Sequence, residues 1–185
     1  MKTPQLETER LLIKPLSEEH IDDWFEMDSD PEVHTYISQS PVQSKDEIRE
    51  ALKFISQQYK DNGVGRWAVV DKNSGEMLGW CGLKFYKEPL NGHAQIYEHG
   101  YRFKQKHWGK GLATESSKAV LDWGFENLGI DTIYAITDPE NLNSQHVLKK
   151  LGFHHTGNFD WEFEGKKFKN CYWFELSRND FHKLP

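Results

Sequence analysis

Apolar residues recur every second position in some stretches and every third or fourth in others, and the two periods alternate along the chain. Arg10 to Leu16, with Leu11 and Ile13 on one face, predicts a first strand in which Pro15 suits an edge or an end. Ser17 is placed to cap a helix running to about Asp28, with Glu18 and Glu19 in its first turn and a stripe of Ile21, Trp24, Phe25 and Met27. Asp30-Pro31-Glu32-Val33 starts a further short helical turn, and Thr35 to Ser44 is a polar loop. Ser44 and Glu47 have capping-box spacing for a helix from Lys45 to about Lys60. Its inward stripe is Ile48, Leu52, Ile55 and Tyr59, and Asn62-Gly63 ends it.

Period two then returns. Arg66 to Asp71 and Met77 to Phe85 predict strands around Asn73-Ser74-Gly75, and Glu88 to Gly92 turns the chain into a strand from about His93 to Phe103. There Tyr97, Tyr101 and Phe103 alternate with Glu98, Gly100 and Arg102. Beyond Trp108-Gly109-Lys110-Gly111 comes a helix from Leu112 to about Leu128, with Leu112, Ser116, Ala119, Val120 and Trp123 on one face. Ile130 to Thr137 predicts a buried strand, and Asn141 to Leu151 a short helix with Gly152 at its C-cap. Strands Phe153 to Phe163 and Phe168 to Leu176 follow, joined by Glu164-Gly165-Lys166. The order β-α-α-β-β-β-α-β-α-β-β predicts a mixed α+β layer fold. Its hairpin-linked strands are antiparallel, and the helix after Phe103 permits one parallel pair. No repeat, linker or low-complexity tract interrupts residues 1–185, which predicts a single domain.

Composition narrows the function. With 14% aromatic and 37% hydrophobic residues the chain has the content of a folded globule, despite a mean hydropathy of -0.79. No apolar run approaches the roughly 20 residues that span a bilayer. The opening MKTPQLETER has no apolar signal region, so a cytoplasmic protein is expected. Cys81 and Cys171 lie in strand-like runs and are expected as buried thiols; two cysteines do not suggest a metal site. A net charge of -6 argues against a nucleic-acid binder and suits a cationic acceptor such as an amine or a basic peptide.

The stretch most informative about chemistry is Tyr97 to Glu115. A strand, then glycines, then a helix start presents free backbone N–H groups to an anion. Gly109 and Gly111 let the backbone turn sharply and approach closely, and Lys106, Lys110 and His107 can add positive charge. A phosphate-bearing ligand between residues 106 and 114 is the expectation. No GxGxxG and no GxxxxGK[ST] is present, which disfavours a dinucleotide or a nucleoside triphosphate.

Lys106-His107-Trp108-Gly109-Lys110-Gly111 resembles the acetyl-CoA pyrophosphate loop Q/R-x-x-G-x-G/A of the GCN5-related N-acetyltransferases, with Lys106 where the family most often has Gln or Arg. Thr8-Glu9-Arg10-Leu11 and Asp138-Pro139-Glu140-Asn141…Ser144…Leu148-Lys149-Lys150-Leu151-Gly152-Phe153 are similar to segments of the branch containing the ribosomal-protein N-terminal acetyltransferases. The resemblance implies a mixed, mostly antiparallel sheet with about four helices, splayed between its fourth and fifth strands around the pantetheine arm. It implies acetyl-CoA as co-substrate and no metal. The amides of Trp108, Gly109, Lys110, Gly111, Leu112, Ala113 and Thr114, with Lys106, would hold the pyrophosphate, and a backbone N–H near Phe103 would meet the carbonyl oxygen. Asn141 would contact the pantetheine arm and Ser144 would assist the departing sulfur, with Tyr172 as the alternative. Glu98 is the expected base, with His99 and His93 as fallbacks. Read without the family, Glu98 is a solvated or ion-paired strand residue, Asn141 an N-cap and Ser144 a first-turn residue. Trp108 is either core or a ring against the cofactor. The acceptor implied is a protein N-terminus, met by a monomer or homodimer. A polyamine or aminoglycoside, or a non-catalytic acyl-CoA-binding role, are the competing expectations.

Overall fold

A computed structural model describes residues 5–37, 39–163 and 165–183. The strands are β1 (Leu6–Glu7), β2 (Leu11–Pro15), β3 (Arg66–Asp71), β4 (Met77–Tyr86), β5 (Ile96–Phe103), β6 (Thr132–Thr137), β7 (His154–Phe163) and β8 (Lys166–Ser177). The α-helices are α1 (Ile21–Asp28), α2 (Lys45–Asn62), α3 (Leu112–Asn127), α4 (Leu142–Lys150) and α5 (Arg178–Phe181). One mixed sheet runs β1-β2-β3-β4-β5-β6-β8-β7, and every neighbouring pair is antiparallel except β5–β6.

Apolar alternation decides which layer covers each face. Leu11, Ile13, Trp67, Val69, Leu83, Ile133 and Phe174 meet Val120, Leu121 and Phe125 of α3 and Leu148 of α4. On the other face Ala68, Val70 and Met77 meet Ile21, Trp24 and Met27 of α1 and Ile48, Leu52 and Ile55 of α2. Both cysteines are buried free thiols, pushed up to about 11 by that burial. Among the described residues no helix is long and apolar enough to cross a membrane.

Pairing changes abruptly at the parallel junction. β4 pairs β5 from Gly79↔Phe103 to Tyr86↔Ile96, and β6 pairs β8 from Thr132↔Ser177 to Thr137↔Tyr172. Between β5 and β6 the described pairing is the single row Glu98↔Tyr134. Beyond it, where β5 runs from His99 to Phe103, no further β5–β6 pairing is described, and the ladder opens into a gap between the two strands.

Several local expectations need correction. The Leu6–Glu7 strand and the Arg178–Phe181 helix were not foreseen, so the described residues hold five α-helices, and the fourth and fifth strands expected from the sequence, with the splay between them, are β5 and β6. β5 begins at Ile96 because positive φ at Asn91, Gly92 and Gln95 and the Leu90↔His93 bridge commit the preceding residues to a turn. At α2 the Glu47 carboxylate takes the Gln43 N–H and the Ser44 hydroxyl, while Ser44 accepts no helix amide. Lys166 opens β8 instead of closing the turn, and Glu164 lies outside the described residues.

Candidate active site

The glycine loop folds as its residue types require. After β5, Gln105–His107 makes one 3-10 turn, and Gly109 (φ 72) and Gly111 (φ 78) take the left-handed conformation that glycine alone adopts without strain. Gly111 is the N-cap of α3 and has no side chain to cap with; the first bond there is Glu115 N–H to the Gly111 carbonyl, at 3.0 Å. The amides of Leu112, Ala113 and Thr114 are therefore left without a helical acceptor, at the positive end of a 16-residue helix. A Cβ at Gly109 would meet nothing within 4 Å, so this mouth is open. An uncapped, open helix mouth of this kind fits a diphosphate.

The lysines are distributed unexpectedly. Lys104, 3% exposed, bonds Asp23 and Glu26 of α1 at 2.6 Å each and Glu76 at 2.9 Å. Lys106 joins the same cluster, 2.8 Å from Glu26 and 2.9 Å from Glu76, so its ammonium is committed to carboxylates instead of standing free for the loop. Lys110 is exposed and forms no ion pair among the described residues. Lys106 above all, with Lys104 and His107, holds the Glu76 carboxyl down at about 2, against an ordinary 4.5. A carboxyl depressed on folding stabilises the native state above its ordinary value, and that contribution drains away as pH falls toward the native one. Melting temperature should accordingly drop between pH 4.5 and 2, and Glu76→Gln should flatten the decline in that window. An unchanged slope in thermal melts would remove this cluster as its origin.

β5 presents different chemistry on its two faces. Lys104 N–H donates to the Leu78 carbonyl, so by antiparallel alternation the even-numbered residues of β5 hold β4. The peptide N–H groups of Tyr101 and Phe103 therefore point into the gap, while the Phe103 carbonyl accepts the Trp108 indole N–H at 2.8 Å. Trp108 is 44% exposed, which rejects the core alternative and leaves its ring beside the loop.

On the α1/α2 face Glu98 is buried, with Oε2 2.5 Å from Arg66 Nη2. Arg66 lies across Gly100, where a Cβ would come within 2.9 Å of it, and also donates to the carbonyls of Gly82 and Glu98. The series continues: Arg66 and Arg102 flank the Trp80 ring at 5.1 and 5.2 Å, and Arg102 pairs with Asp28 at 2.8 Å. Glu98 is thus braced back to α1 through a charge-balanced stack. Beside it on this face Tyr134 meets His93 and the buried Trp173.

On the α3/α4 face Ser144 Oγ lies 3.1 Å from the Tyr101 hydroxyl, which also donates to the Ser144 carbonyl at 3.2 Å. Burial raises the Tyr101 phenol well above its ordinary value. Asn141 is the N-cap of α4, its Oδ1 accepting the Ser144 N–H at 3.0 Å. Glu98 and Ser144 are therefore on opposite faces of β5. His99 is fully buried against Ser117 at 2.9 Å, and burial, helped by Arg66, pushes it down to about 3, so it stays neutral at working pH. Tyr172 stacks on His155 at 4.3 Å, and among the described contacts none joins it to Ser144. Sequence reasoning missed Arg66 and Tyr101. Arg66 is a lone cation opening an apolar strand, and Tyr101 sits in the alternation on β5, but only cross-strand register reveals their partners.

The sequence profile of the acetyltransferase (GNAT) domain matches residues 10–154. The chain is 30% identical over 177 residues to an uncharacterized N-acetyltransferase, p20, of Bacillus licheniformis, covering 95% of this chain and 97% of that protein. It is 27% identical over 151 residues to spermidine N(1)-acetyltransferase of Escherichia coli K12, covering 82% of this chain and 76% of the other. In fold it matches the ribosomal-protein-S5-alanine acetyltransferase of Vibrio fischeri with a TM-score of 0.75 at 19% identity, over 96% of this chain and 98% of that one. With an uncapped helix mouth beside a parallel pair described by one row, the chain belongs to the GNAT acetyltransferases.

Proposed function

We propose that the chain transfers the acetyl group of acetyl-CoA directly to a primary amine, and that this amine is a protein or peptide N-terminus. The observation that carries this is the placement of the uncapped α3 mouth at the open end of the β5–β6 gap, whose closed end is the Glu98↔Tyr134 row. From Glu98 to Phe103 β5 covers about 17 Å, room for an extended arm between mouth and row. Bound acetyl-CoA supplies the activated acyl carbon. The residues 109–114 amides grip its diphosphate, and the gap-facing N–H groups of Tyr101 and Phe103 are the donors for the carbonyl oxygen. Asn141 fixes the start of α4, so that Ser144, with Tyr101 behind it, donates a hydrogen bond to the departing sulfur. As the C–N bond forms and the C–S bond breaks, Glu98 takes the ammonium proton, directly or through a water, and the thiolate takes one from solvent or the Ser144–Tyr101 pair.

An α-amine suits this site because its ordinary pKa of about 7.7–8.0 leaves little for the base to do, whereas a lysine amine at about 10.4 demands more. The acceptor face also holds its charges in closed pairs, Glu98 with Arg66 and Asp28 with Arg102, which offers little to a polycation. The second reading, a small-molecule amine, has in its favour the sequence likeness to spermidine N(1)-acetyltransferase. A thiol-release assay over a panel of N-terminal peptides, polyamines and aminoglycosides separates them. Turnover with peptides alone is expected; turnover with polyamines alone transfers the assignment to the second reading. Coenzyme A binding without thiol release from any acceptor would overturn the transferase proposal.

A further inference from the structure

We infer that Arg10 is a positioning residue for the coenzyme A site, cancelling a carboxylate that α3 carries at its own phosphate-facing end. The inference rests on the acetyl-CoA assignment above. Glu115 lies in the first turn of α3, where an unneutralised negative charge would repel a diphosphate at the helix mouth. It is not left unneutralised. Arg10 binds Glu115 Oε2 through Nε and through Nη2, both at 2.7 Å, in a two-point fork. The Arg10 backbone N–H and the Thr8 hydroxyl take Oε1, at 3.0 and 2.5 Å. Although burial opposes it, the hydrogen bonds from Thr8 and Arg10 hold the Glu115 carboxyl below its usual range. The same guanidinium extends to the loop, where Nη1 donates to the Lys110 carbonyl at 3.1 Å. That bond fixes the Lys110 peptide, the one that leads into Gly111, by holding its oxygen on Arg10. Arg10 thereby does two things for an anion: it removes one negative charge and fixes one peptide. Thr8-Glu9-Arg10-Leu11, which precedes the loop by about a hundred residues, is joined to it by this fork.

Charge distinguishes this role from a scaffold contact. Removing Arg10 leaves Glu115 exposed to the ligand, so a second change that neutralises Glu115 should repair the first. Calorimetric titration with coenzyme A, free of any acceptor, reads this directly. Arg10→Met should weaken binding about tenfold at low salt, the scale of one uncompensated charge beside a dianion, with the deficit shrinking as salt rises. Arg10→Met/Glu115→Gln should recover most of that affinity. In turnover, KM for acetyl-CoA should rise in the single variant with kcat nearly unchanged. Melting of the ligand-free proteins checks that both variants fold; Arg10→Lys, which keeps the charge without the fork, covers the case in which Arg10→Met does not, and should lose less than threefold. Single-variant binding within twofold of wild type, or a double variant as weak as Arg10→Met, overturns the inference. A wild type that binds no coenzyme A overturns it together with the acetyl-CoA assignment, whereas binding with the wrong pattern among variants overturns the clamp alone.

Discussion

Glu98→Gln lowers kcat by about 100- to 10,000-fold, the range a positioned proton acceptor contributes, and leaves KM for acetyl-CoA within about twofold. The effects separate because Glu98 pairs with Arg66 on the α1/α2 side of β5, whereas Ser144 meets Tyr101 on its other side and the helix mouth lies beyond the end of the strand. The amide is isosteric and can still accept from Arg66, so the fold is retained. Raising the pH to about 9 restores part of the lost rate, since an α-amine near 8 then sheds its proton unaided. Steady-state kinetics on an N-terminal peptide check both limbs. A variant with unchanged kcat at neutral pH removes Glu98 from the chemistry.

The second large effect concerns the loop. Saturating wild type with coenzyme A at a hundredfold over its dissociation constant adds about 2.7 kcal/mol, which for a chain of this size is roughly 5–10 °C in melting temperature. Gly111→Val abolishes that rise. At φ 78 a β-branched side chain is strained, and the loop relaxes by turning the residue 111–114 amides out of their common direction. Crowding is not the cause, because a Cβ at Gly111 meets only Arg10 Nη2, at 3.6 Å. Gly75→Val supplies the control: Gly75 has φ 74, with nothing within 4 Å of a Cβ, and lies in the β3–β4 turn away from the mouth. It loses comparable intrinsic stability and keeps the coenzyme A response. Differential scanning fluorimetry distinguishes the pair, and equal responses in both variants would contradict the cradle.

What could be read along the chain was whatever depends on near neighbours. The stripes of α1 and α2, the glycine stop at Gly63 and the strand-to-helix passage through Gly109 and Gly111 are local, so periodicity and turn chemistry expose them. Asn141 is likewise a cap, the role its own spacing to Ser144 suggests. The rest depends on residues far apart. Nothing near Lys106 in sequence announces Glu26 and Glu76, so its charge looked available to the loop when it is spent on a carboxylate cluster. Arg66 reaches Glu98 across β4, over Gly100, whose missing side chain leaves room for the guanidinium, and Tyr101 reaches Ser144 on α4. Such contacts follow from register, and a shift of one residue would send each side chain to the opposite face. The family resemblance implies the splay; Thr8-Glu9-Arg10-Leu11 is legible as a motif, but its partner Glu115 lies over a hundred residues away and emerges only in the fold.

If the helix mouth at Gly111 holds the diphosphate and directs the thiol down the β5–β6 gap toward the Glu98 row, a crystal structure with coenzyme A will show phosphate oxygens within hydrogen-bond distance of the residue 109–114 amides and the sulfur between Tyr101 and Ser144. Diphosphate bound elsewhere, or a gap filled by side chains with the thiol outside it, would contradict it.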